Sequence, residues 1–264
     1  QRDARRLTPD SKRGFLAGPT AQYVYQSETQ SLQGAFSGGY IKDQGETAED
    51  IFDDPIREDR GFAEWRHQHR IGERFALTAQ ATYWSDSEVT RDFRDEYFSE
   101  NRRPDSFAEA VYAGDNYLLS AFGRFELNDF QLVQERLPEL RFDLLPVPLF
   151  QTGIYHQGAL SYARLREDYG RVVPSFSDHR YDRFDGLYRV QRPFLLRDWL
   201  TLTPIAGARV SHYTNQEFAF GQAPLPDDDF TQEIYELGFD LEARFHATYP
   251  TTNRTWAIDG LRHQ

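Results

Sequence analysis

The longest regular pattern in the chain runs from Tyr235 to Tyr249, where apolar and polar residues alternate. One parity carries Tyr235, Leu237, Phe239, Leu241, Ala243, Phe245, Ala247 and Tyr249. The other parity carries Glu236, Gly238, Asp240, Glu242, Arg244, His246 and Thr248. Successive side chains of a strand point to opposite faces, so this alternation predicts a strand with one apolar face and one charged face.

The length of this strand indicates a membrane-spanning strand. It greatly exceeds the usual ~5–6 residues, and at ~3.3 Å per residue and a tilt near ~45° it crosses a hydrocarbon layer ~30 Å thick. Its apolar face begins and ends with tyrosine, and aromatic rings settle at the two headgroup levels. The residues predicted to face lipid are Tyr235, Leu237, Phe239, Leu241, Phe245 and Tyr249. Those predicted to face a polar lumen are Glu236, Asp240, Glu242 and Arg244.

Similar strand patterns recur along most of the chain. They cover residues 14–26, 32–40, 61–71, 73–84, 107–113, 117–127, 140–145, 153–166, 183–191, 200–213, 233–249 and 255–261. Residues 45–60 and 86–105 are highly charged and predict long loops, the second with a short helical turn. No segment shows the 3.6-residue period of a helix of ordinary length. Hairpins with alternately short and long connections predict an all-β, antiparallel barrel of the outer-membrane type.

Composition is compatible with such a barrel and excludes a helical membrane protein. The mean hydropathy is −0.72 and 27% of residues are charged, and no run approaches the ~18–20 apolar residues of a spanning helix. Only alternate residues of a barrel strand face lipid, so a polar average does not indicate a soluble protein. The net charge of −12, without a basic block, argues against a nucleic-acid partner. The absence of cysteine excludes disulfides and zinc–thiolate sites.

Histidine and carboxylate residues that form metal or catalytic sites in other proteins have structural explanations in this chain. His67 and His69 share a strand face and either ligate a metal or form a polar pair. Asp227, Asp228 and Asp229 lack the spaced ligands of a calcium loop, and a solvated acidic turn is the alternative. Glu236, Asp240 and Glu242 are candidates for paired catalytic carboxylates, but their period-two spacing is that of a polar barrel lining, where charges are normal. Without an enzyme signature we predict no catalysis, no cofactor and no metal.

Pro19 interrupts the first predicted strand. Proline lacks the N–H that a sheet ladder needs, so it is tolerated best at an edge or a weak seam. A barrel's first strand pairs with its last, and a proline there favours a seam that opens sideways. The alternative is a proline that merely starts the strand after a Gly-Pro turn.

Several short motifs, in order, resemble the LptD family of lipopolysaccharide-assembly outer-membrane proteins. The run from Asn128 to Asp143 contains Arg136-Leu137-Pro138-Glu139-Leu140, which resembles the start of a family strand. Ser85-Asp86 followed by Arg91-Asp92-Phe93 resembles a second family segment. Weaker matches are Ser11 to Leu16, Leu200 to Pro204 and Gly260 to His263. The motif positions Arg91, Asp92, Phe93, Leu137 and Pro138 are the most specific.

The resemblance implies a barrel that receives lipopolysaccharide from a periplasmic bridge and inserts it into the outer leaflet through a lateral gate. It also implies a plug lipoprotein of the LptE type in the lumen, and it places Pro19 on the gate strand. The family's periplasmic jelly roll and its cysteines are not found in this sequence. The chain has no methionine and begins with Gln1, so we expect a piece of a longer precursor. We predict a polar leader over 1–13 and a partial barrel of about ten to twelve strands over 14–264.

Two other classes share parts of this pattern. A porin or substrate-specific channel has the same alternation but conducts solutes through an open lumen. A soluble carbohydrate-binding β-sandwich has the aromatic residues, but its strands are shorter and it needs no detergent.

Overall fold

A computed structural model of the chain describes residues 13–45, 49–102, 104–167, 179–214, 219–220, 223–224, 229–245, 247–253 and 258–263. Most of the predicted leader, and Asp227 and Asp228 of the acidic turn, lie outside these residues. The first strands are β1 Thr20–Gln26, β2 Gln30–Lys42, β3 Asp59–Ile71, β4 Phe75–Trp84, β5 Phe107–Ala113, β6 Tyr117–Arg124, β7 Gln134–Pro148 and β8 Tyr155–Glu167. The later ones are β9 His179–Gln191, β10 Phe194–Arg197, β11 Leu200–Thr214, β12 Ala219–Phe220, β13 Ala223–Pro224, β14 Phe230–Ala243, β15 Ala247–Asn253 and β16 Ile258–His263.

Twelve strands form one antiparallel sheet, which confirms the predicted fold class and strand count. Strands β1 to β9 follow one another in chain order, β10 and β11 continue the sheet, and β14 pairs with β11. Among the described residues the sheet is open: β1 pairs with β2 alone, and β14 with β11 alone. Strands β12 and β13, and β15 and β16, form two separate hairpins.

The connections differ greatly in length at the two ends of the sheet. One end, called here the short-turn end, carries the connections over 27–29, 72–74, 114–116 and 149–154. Gly72 and Gly153 allow two of these turns through φ angles of +58° and +73°. The opposite end, called the long-loop end, carries the connections over 43–58, 85–106 and 125–133. The segment 85–106 contains the helices α1 Val89–Phe93 and α2 Asp95–Glu100, so the predicted charged loop with a helical turn is confirmed.

The buried core lies at the long-loop end, between the sheet and the two helices. Phe62 and Trp84 come from β3 and β4, and Val89 and Phe130 come from the long connections. Asn128 fixes the 125–133 connection, because its side chain accepts a hydrogen bond from Trp84 N at 2.8 Å and donates one to Thr82 O at 2.9 Å. The long connections therefore fold onto the sheet.

The prediction of one continuous strand from Tyr235 to Tyr249 is wrong. Strand β14 ends at Ala243, and β15 belongs to a separate hairpin. The ladder ends because its partner ends: β11 begins at Leu200, and the last bond runs from Arg244 N to Trp199 O at 2.8 Å. Before Leu200 the chain turns at Asp198 and Trp199 into β10, so among the described residues β14 has no further strand to pair with.

The first strand also begins later than predicted, at Thr20 rather than Gly14. An isolated bridge between Ala17 and Tyr40 keeps the register of β1 against β2, but Pro19 interrupts the ladder. Among the described residues, no helix is long and apolar enough to cross a membrane.

Candidate functional site: the two faces, the first strand and the charged clasp

The strand register sorts the residues of the sheet onto two faces, because directly paired residues point to the same side. The row through Val210 contains Gly186, Leu160, Phe142, Leu119, Tyr112, Phe75 and Ile71. The neighbouring row through Tyr235 contains Ala208, Tyr188, Gly158, Leu144 and Tyr117. The side chains on this side, called the apolar face, are not covered by other parts of the described chain: Leu160 is 61% exposed and Leu237 is 90% exposed. An apolar area this wide marks a surface that contacts lipid or protein.

The opposite side, called the polar face, carries ion pairs both between strands and within β7. The pairs are Arg141–Asp143 at 2.6 Å, Arg189–Glu236 at 2.6 Å, Arg209–Asp185 at 2.9 Å, Arg136–Glu139 at 3.0 Å and Arg183–Glu139 at 3.7 Å. Polar residues of this kind line the lumen of outer-membrane barrels, whereas the lipid-facing side is apolar.

The residues singled out on β14 divide between these faces. Tyr235, Leu237, Phe239 and Leu241 lie together on the apolar face, and Glu236, Asp240 and Glu242 lie on the polar face. Arg244 lies just beyond the strand and donates a hydrogen bond to Glu242 at 2.7 Å. Phe245 also follows the strand, and its ring centre is 5.1 Å from that of Trp199. The side chain of Tyr249, in β15, lies outside the described ones.

His67 and His69 form polar contacts at the short-turn half of the apolar face. His67 Nδ1 is hydrogen-bonded to the Tyr23 hydroxyl at 2.8 Å, and His69 Nε2 to Gln30 Oε1 at 3.2 Å. Trp65 donates its indole N–H to the same tyrosine at 3.1 Å. Tryptophan and tyrosine side chains such as Trp65 and Tyr23 are enriched at membrane–water interfaces. In the part of the chain that the structure describes, no group of three or more His, Cys, Asp or Glu residues could hold a metal ion.

Pro19 lies at the start of β1 and faces β2. Its carbonyl accepts a hydrogen bond from Gly38 N at 2.9 Å, in step with the two bonds that join Ala17 to Tyr40. In an antiparallel ladder the reciprocal bond would run from residue 19 N to Gly38 O, and proline has no N–H to make it. The missing bond therefore weakens the contact between β1 and β2.

The neighbouring Gly18 lets the two strands approach closely. A Cβ atom built on Gly18 would lie 2.6 Å from Gly39 Cα and closer still to the carbonyl of Gly38. Any larger residue there would push the start of β1 away from β2. The first strand is thus attached over residues 14–19 by few bonds and by a contact that only glycine permits.

A buried charge cluster, called here the Arg60 clasp, ties the long connections to the sheet. It consists of Arg13, Asp43, Arg60, Asp86 and Asp92. Arg60 is 1% exposed and donates to Asp86 at 2.7 and 3.0 Å, to Asp92 at 2.7 Å and to Asp43 at 2.9 Å. Arg13 bridges Asp43 and Asp92 at 2.6 and 2.9 Å. Both guanidinium groups also lie over the ring of Phe93, at 4.8 and 5.0 Å.

The clasp explains two of the three residues in the Arg91-Asp92-Phe93 motif. Asp92 and Phe93 bind the two clasp arginines, whereas Arg91 is exposed and pairs with Glu88 one helical turn away at 2.8 Å. No sequence motif marks Arg60, which lies in the alternating strand β3. The only signal for it was the surplus of aspartate in the adjoining connections.

The clasp predicts an acid-sensitive step in stability. Hydrogen bonds from Arg13, with others from Gly45 N and Arg60, lower the pKa of the Asp43 carboxyl to about 2. A carboxyl whose folded pKa is depressed stabilises the fold above its unfolded value of ~3.9 and loses this contribution as the pH falls towards 2. We expect the full-length protein to lose about 2 kcal/mol of stability between roughly pH 4 and 2.

Urea unfolding in detergent micelles, followed by tryptophan fluorescence across pH 2–6, measures this step. Asp43→Asn should remove the acid step from the profile, and Asp115→Asn is the matched control. Asp115 pairs with Arg74 at 2.6 Å in an exposed turn, where ion pairs contribute only ~0–1 kcal/mol. An unchanged profile in Asp43→Asn would contradict the assignment.

The second motif forms a β-bulge in β7. Arg136 pairs with Leu165 and Glu139 with Ala163, so Leu137 and Pro138 together oppose Arg164. A Cβ atom built on Gly123 would lie 3.3 Å from Leu137 Cδ2. Gly123 belongs to the apolar face through its pairing with Ala108, so the leucine side chain lies on that face as well. Bulges concentrate at barrel rims and beside functional sites, where they redirect a side chain.

An open antiparallel sheet of twelve strands, apolar and exposed on one face and ion-paired on the other, defines an outer-membrane protein of the β-barrel class. Residues 58–255 match the family described as LptD, LPS transport system D. The match covers more than half of the chain, so the chain belongs to the LptD family, which acts in lipopolysaccharide transport and assembly at the outer membrane of Gram-negative bacteria. A comparison with curated proteins found no match.

Proposed function

We propose that this chain forms part of a barrel wall that delivers lipopolysaccharide into the outer leaflet through a lateral opening at β1. The observation that carries the proposal is the weak attachment of β1. Its ladder with β2 lacks one bond at Pro19, and its close approach to β2 depends on Gly18. Residues 14–264 would contribute the barrel segment and 1–13 a leader. No bond chemistry is required.

The two faces support this role. The apolar face would contact the hydrocarbon layer with Tyr235, Leu237, Phe239 and Leu241, and with Phe245 and Tyr249 beyond the strand end. The polar face would line the lumen with Glu236, Asp240, Glu242 and Arg244, where the saccharide part of the lipid passes. An amphiphile needs a polar lumen, an apolar exterior and a seam between them, because its two ends travel in different solvents.

The unequal connections support one orientation of the sheet in the membrane. Outer-membrane barrels have short periplasmic turns and longer extracellular loops, so the short-turn end would face the periplasm and the long-loop end the outside. Helices α1 and α2 pack on Phe62 and Trp84, which belong to the polar face. The 85–106 segment would then narrow the outer mouth of the lumen, with a lipoprotein of the LptE type as plug and a periplasmic bridge as supplier below.

Replacement of Pro19 tests the opening. Pro19→Ala supplies an N–H to Gly38 O, and one added ladder bond contributes roughly 0.5–1.5 kcal/mol to the attachment of β1. If the seam must open for release, we expect transport to slow by about two- to tenfold. Delivery of lipopolysaccharide to the surface of cells depleted of their own protein is the measurement.

Two controls accompany this variant. Pro148→Ala removes a proline from the end of β7, far from β1, and should leave transport unchanged. A photoreactive residue at position 19 should crosslink to lipopolysaccharide during transport, whereas one at Leu77, on the apolar face of β4 near the short-turn end, should not. A heat-modifiable barrel with no crosslink at position 19 would favour a solute channel, and a product soluble without detergent would exclude the membrane assignment.

A further inference from the structure

The apolar face contains a groove across β4 to β11 at its centre. The groove has a volume of about 820 Å³ and lies where small residues interrupt the large ones. Ala121 and Gly186 form its floor, and Leu119, Leu140, Leu160 and Phe184 form its walls. Each of these four wall residues is 45–61% exposed. A groove of this size, lined almost entirely by apolar atoms, accommodates hydrocarbon chains.

A basic pocket lies on the same face, towards the long-loop end. It has a volume of about 510 Å³, and its lining includes Arg164, Arg166, Arg180 and Leu137. The pocket contains two carboxylates, with Arg164–Asp182 at 3.0 Å and Arg166–Glu135 at 3.6 Å. Among the described residues that line the pocket, there are three guanidinium groups and two carboxylates, in a chain whose net charge is −12. The net charge of these pocket residues is positive, opposite in sign to that of the whole chain, and a positive pocket favours an anionic ligand.

The groove and the pocket form one continuous track, because the same parity of β8 and β9 supplies both. On β8 the order is Leu160, Tyr162, Arg164 and Arg166, and on β9 it is Gly186, Phe184, Asp182 and Arg180. From position 160 to 166 the track covers roughly 20 Å at ~3.3 Å per residue. The Leu137–Pro138 bulge places Leu137 at the junction of the two parts.

The position of the arginines fits a lipid headgroup. Arginine on the lipid-facing side of a barrel costs ~2–4 kcal/mol at the bilayer midplane and ~0–1 kcal/mol near the interface. In the orientation proposed above, the three arginines lie at the headgroup level of the outer leaflet and the groove lies below them. Guanidinium groups bind phosphate through paired hydrogen bonds, which a neutral headgroup cannot match.

We propose that this track binds one lipopolysaccharide molecule by its phosphorylated, multiply acylated anchor, in the outer leaflet and away from β1. This inference rests on the proposed function, since it requires the same membrane orientation and the same lipid. The arginine pocket holds the phosphate groups and the groove holds acyl chains. The track is a resting position for lipid already outside the barrel, whereas the seam at β1 is its exit.

A photoreactive residue at position 160 in the full-length protein tests the track. The protein is reconstituted in bilayers that contain the bisphosphorylated lipid anchor of lipopolysaccharide, its dephosphorylated form or phosphatidylglycerol. We expect crosslinking to the bisphosphorylated anchor to exceed that to the other two lipids at least fivefold. Arg166→Gln/Arg180→Gln should reduce it by a similar factor. Arg66→Gln/Arg70→Gln makes the same charge change on the polar face and should leave it unchanged.

The possible outcomes separate this inference from the proposed function. Equal crosslinking to all three lipids, or crosslinking that survives the Arg166→Gln/Arg180→Gln change, overturns the track and indicates ordinary boundary lipid. If transport and the crosslink at position 19 persist in that case, the proposed function stands without the track. A different result is a crosslink from position 160 to the phosphorylated anchor, with no crosslink from position 19 and no change in transport in Pro19→Ala. That result would support lipid binding at the track and refute the opening at β1.

Discussion

Arg60→Met is expected to destabilise the protein by ~3–5 kcal/mol, the largest effect among the substitutions considered. The change removes the positive charge that three aspartates share and leaves their carboxylates buried without their main partner. Arg13 remains, but it reaches only Asp43 and Asp92. The connections over 43–58 and 85–106 would then lose their common attachment to the end of β3.

Two measurements check this expectation in the full-length protein. Urea unfolding in detergent micelles gives the loss of stability, and limited trypsin digestion shows whether the 85–106 segment becomes accessible. Arg91→Met is the matched control, because Arg91 is the neighbour of Asp92 in α1 but does not belong to the clasp. Its pair with Glu88 is exposed, and such pairs contribute at most ~1 kcal/mol. Equal effects of the two substitutions would refute the view that Arg60 holds the clasp together.

Leu237→Arg is expected to oppose folding into a lipid bilayer by ~2–4 kcal/mol, if the residue lies near the bilayer midplane. Leu237 is 90% exposed on the apolar face, so no local packing is lost, and the cost arises from transfer of a charge into hydrocarbon. The same variant in detergent micelles should differ much less from the parent, because water reaches the side chain there.

Asp240→Arg provides the control for the assignment of the two faces. It introduces the same side chain three positions further along β14, on the polar face opposite Thr203. We expect folding into bilayers to change by less than ~1 kcal/mol, because lumen positions tolerate charge. A larger penalty for Asp240→Arg than for Leu237→Arg would mean that the two faces are assigned the wrong way round.

The fold class was predictable because alternation is a local property of the chain. The pattern around Phe75 to Trp84 specifies a strand and its two faces without knowledge of any partner. The end of β14 was not predictable in this way. The sequence still alternates past Ala243, but a strand needs a neighbour, and the neighbour's turn at Asp198 and Trp199 is encoded far away in the chain.

The candidate site was predictable only where a residue has an unusual backbone property. Pro19 attracts attention because its missing N–H matters in any sheet, yet the sequence could not show that the missing bond faces β2. Arg60 and Arg180 look like ordinary polar residues of alternating strands. The clasp around Arg60 and the basic pocket around Arg180 depend on strand register and on loops that return to the sheet, and neither is a local property.

In the proposed function, the pairing of charges on the polar face would ease the movement of a saccharide along it. Several arginines there have an acidic partner, as in Arg141–Asp143 and Arg189–Glu236, so opposite charges largely cancel at these positions. A sugar chain passing such a surface meets many weak hydrogen-bonding groups and few deep electrostatic wells. When the sugar chain moves by one residue, it exchanges one set of weak contacts for another of similar free energy. The barrier to its movement along the polar face is therefore low.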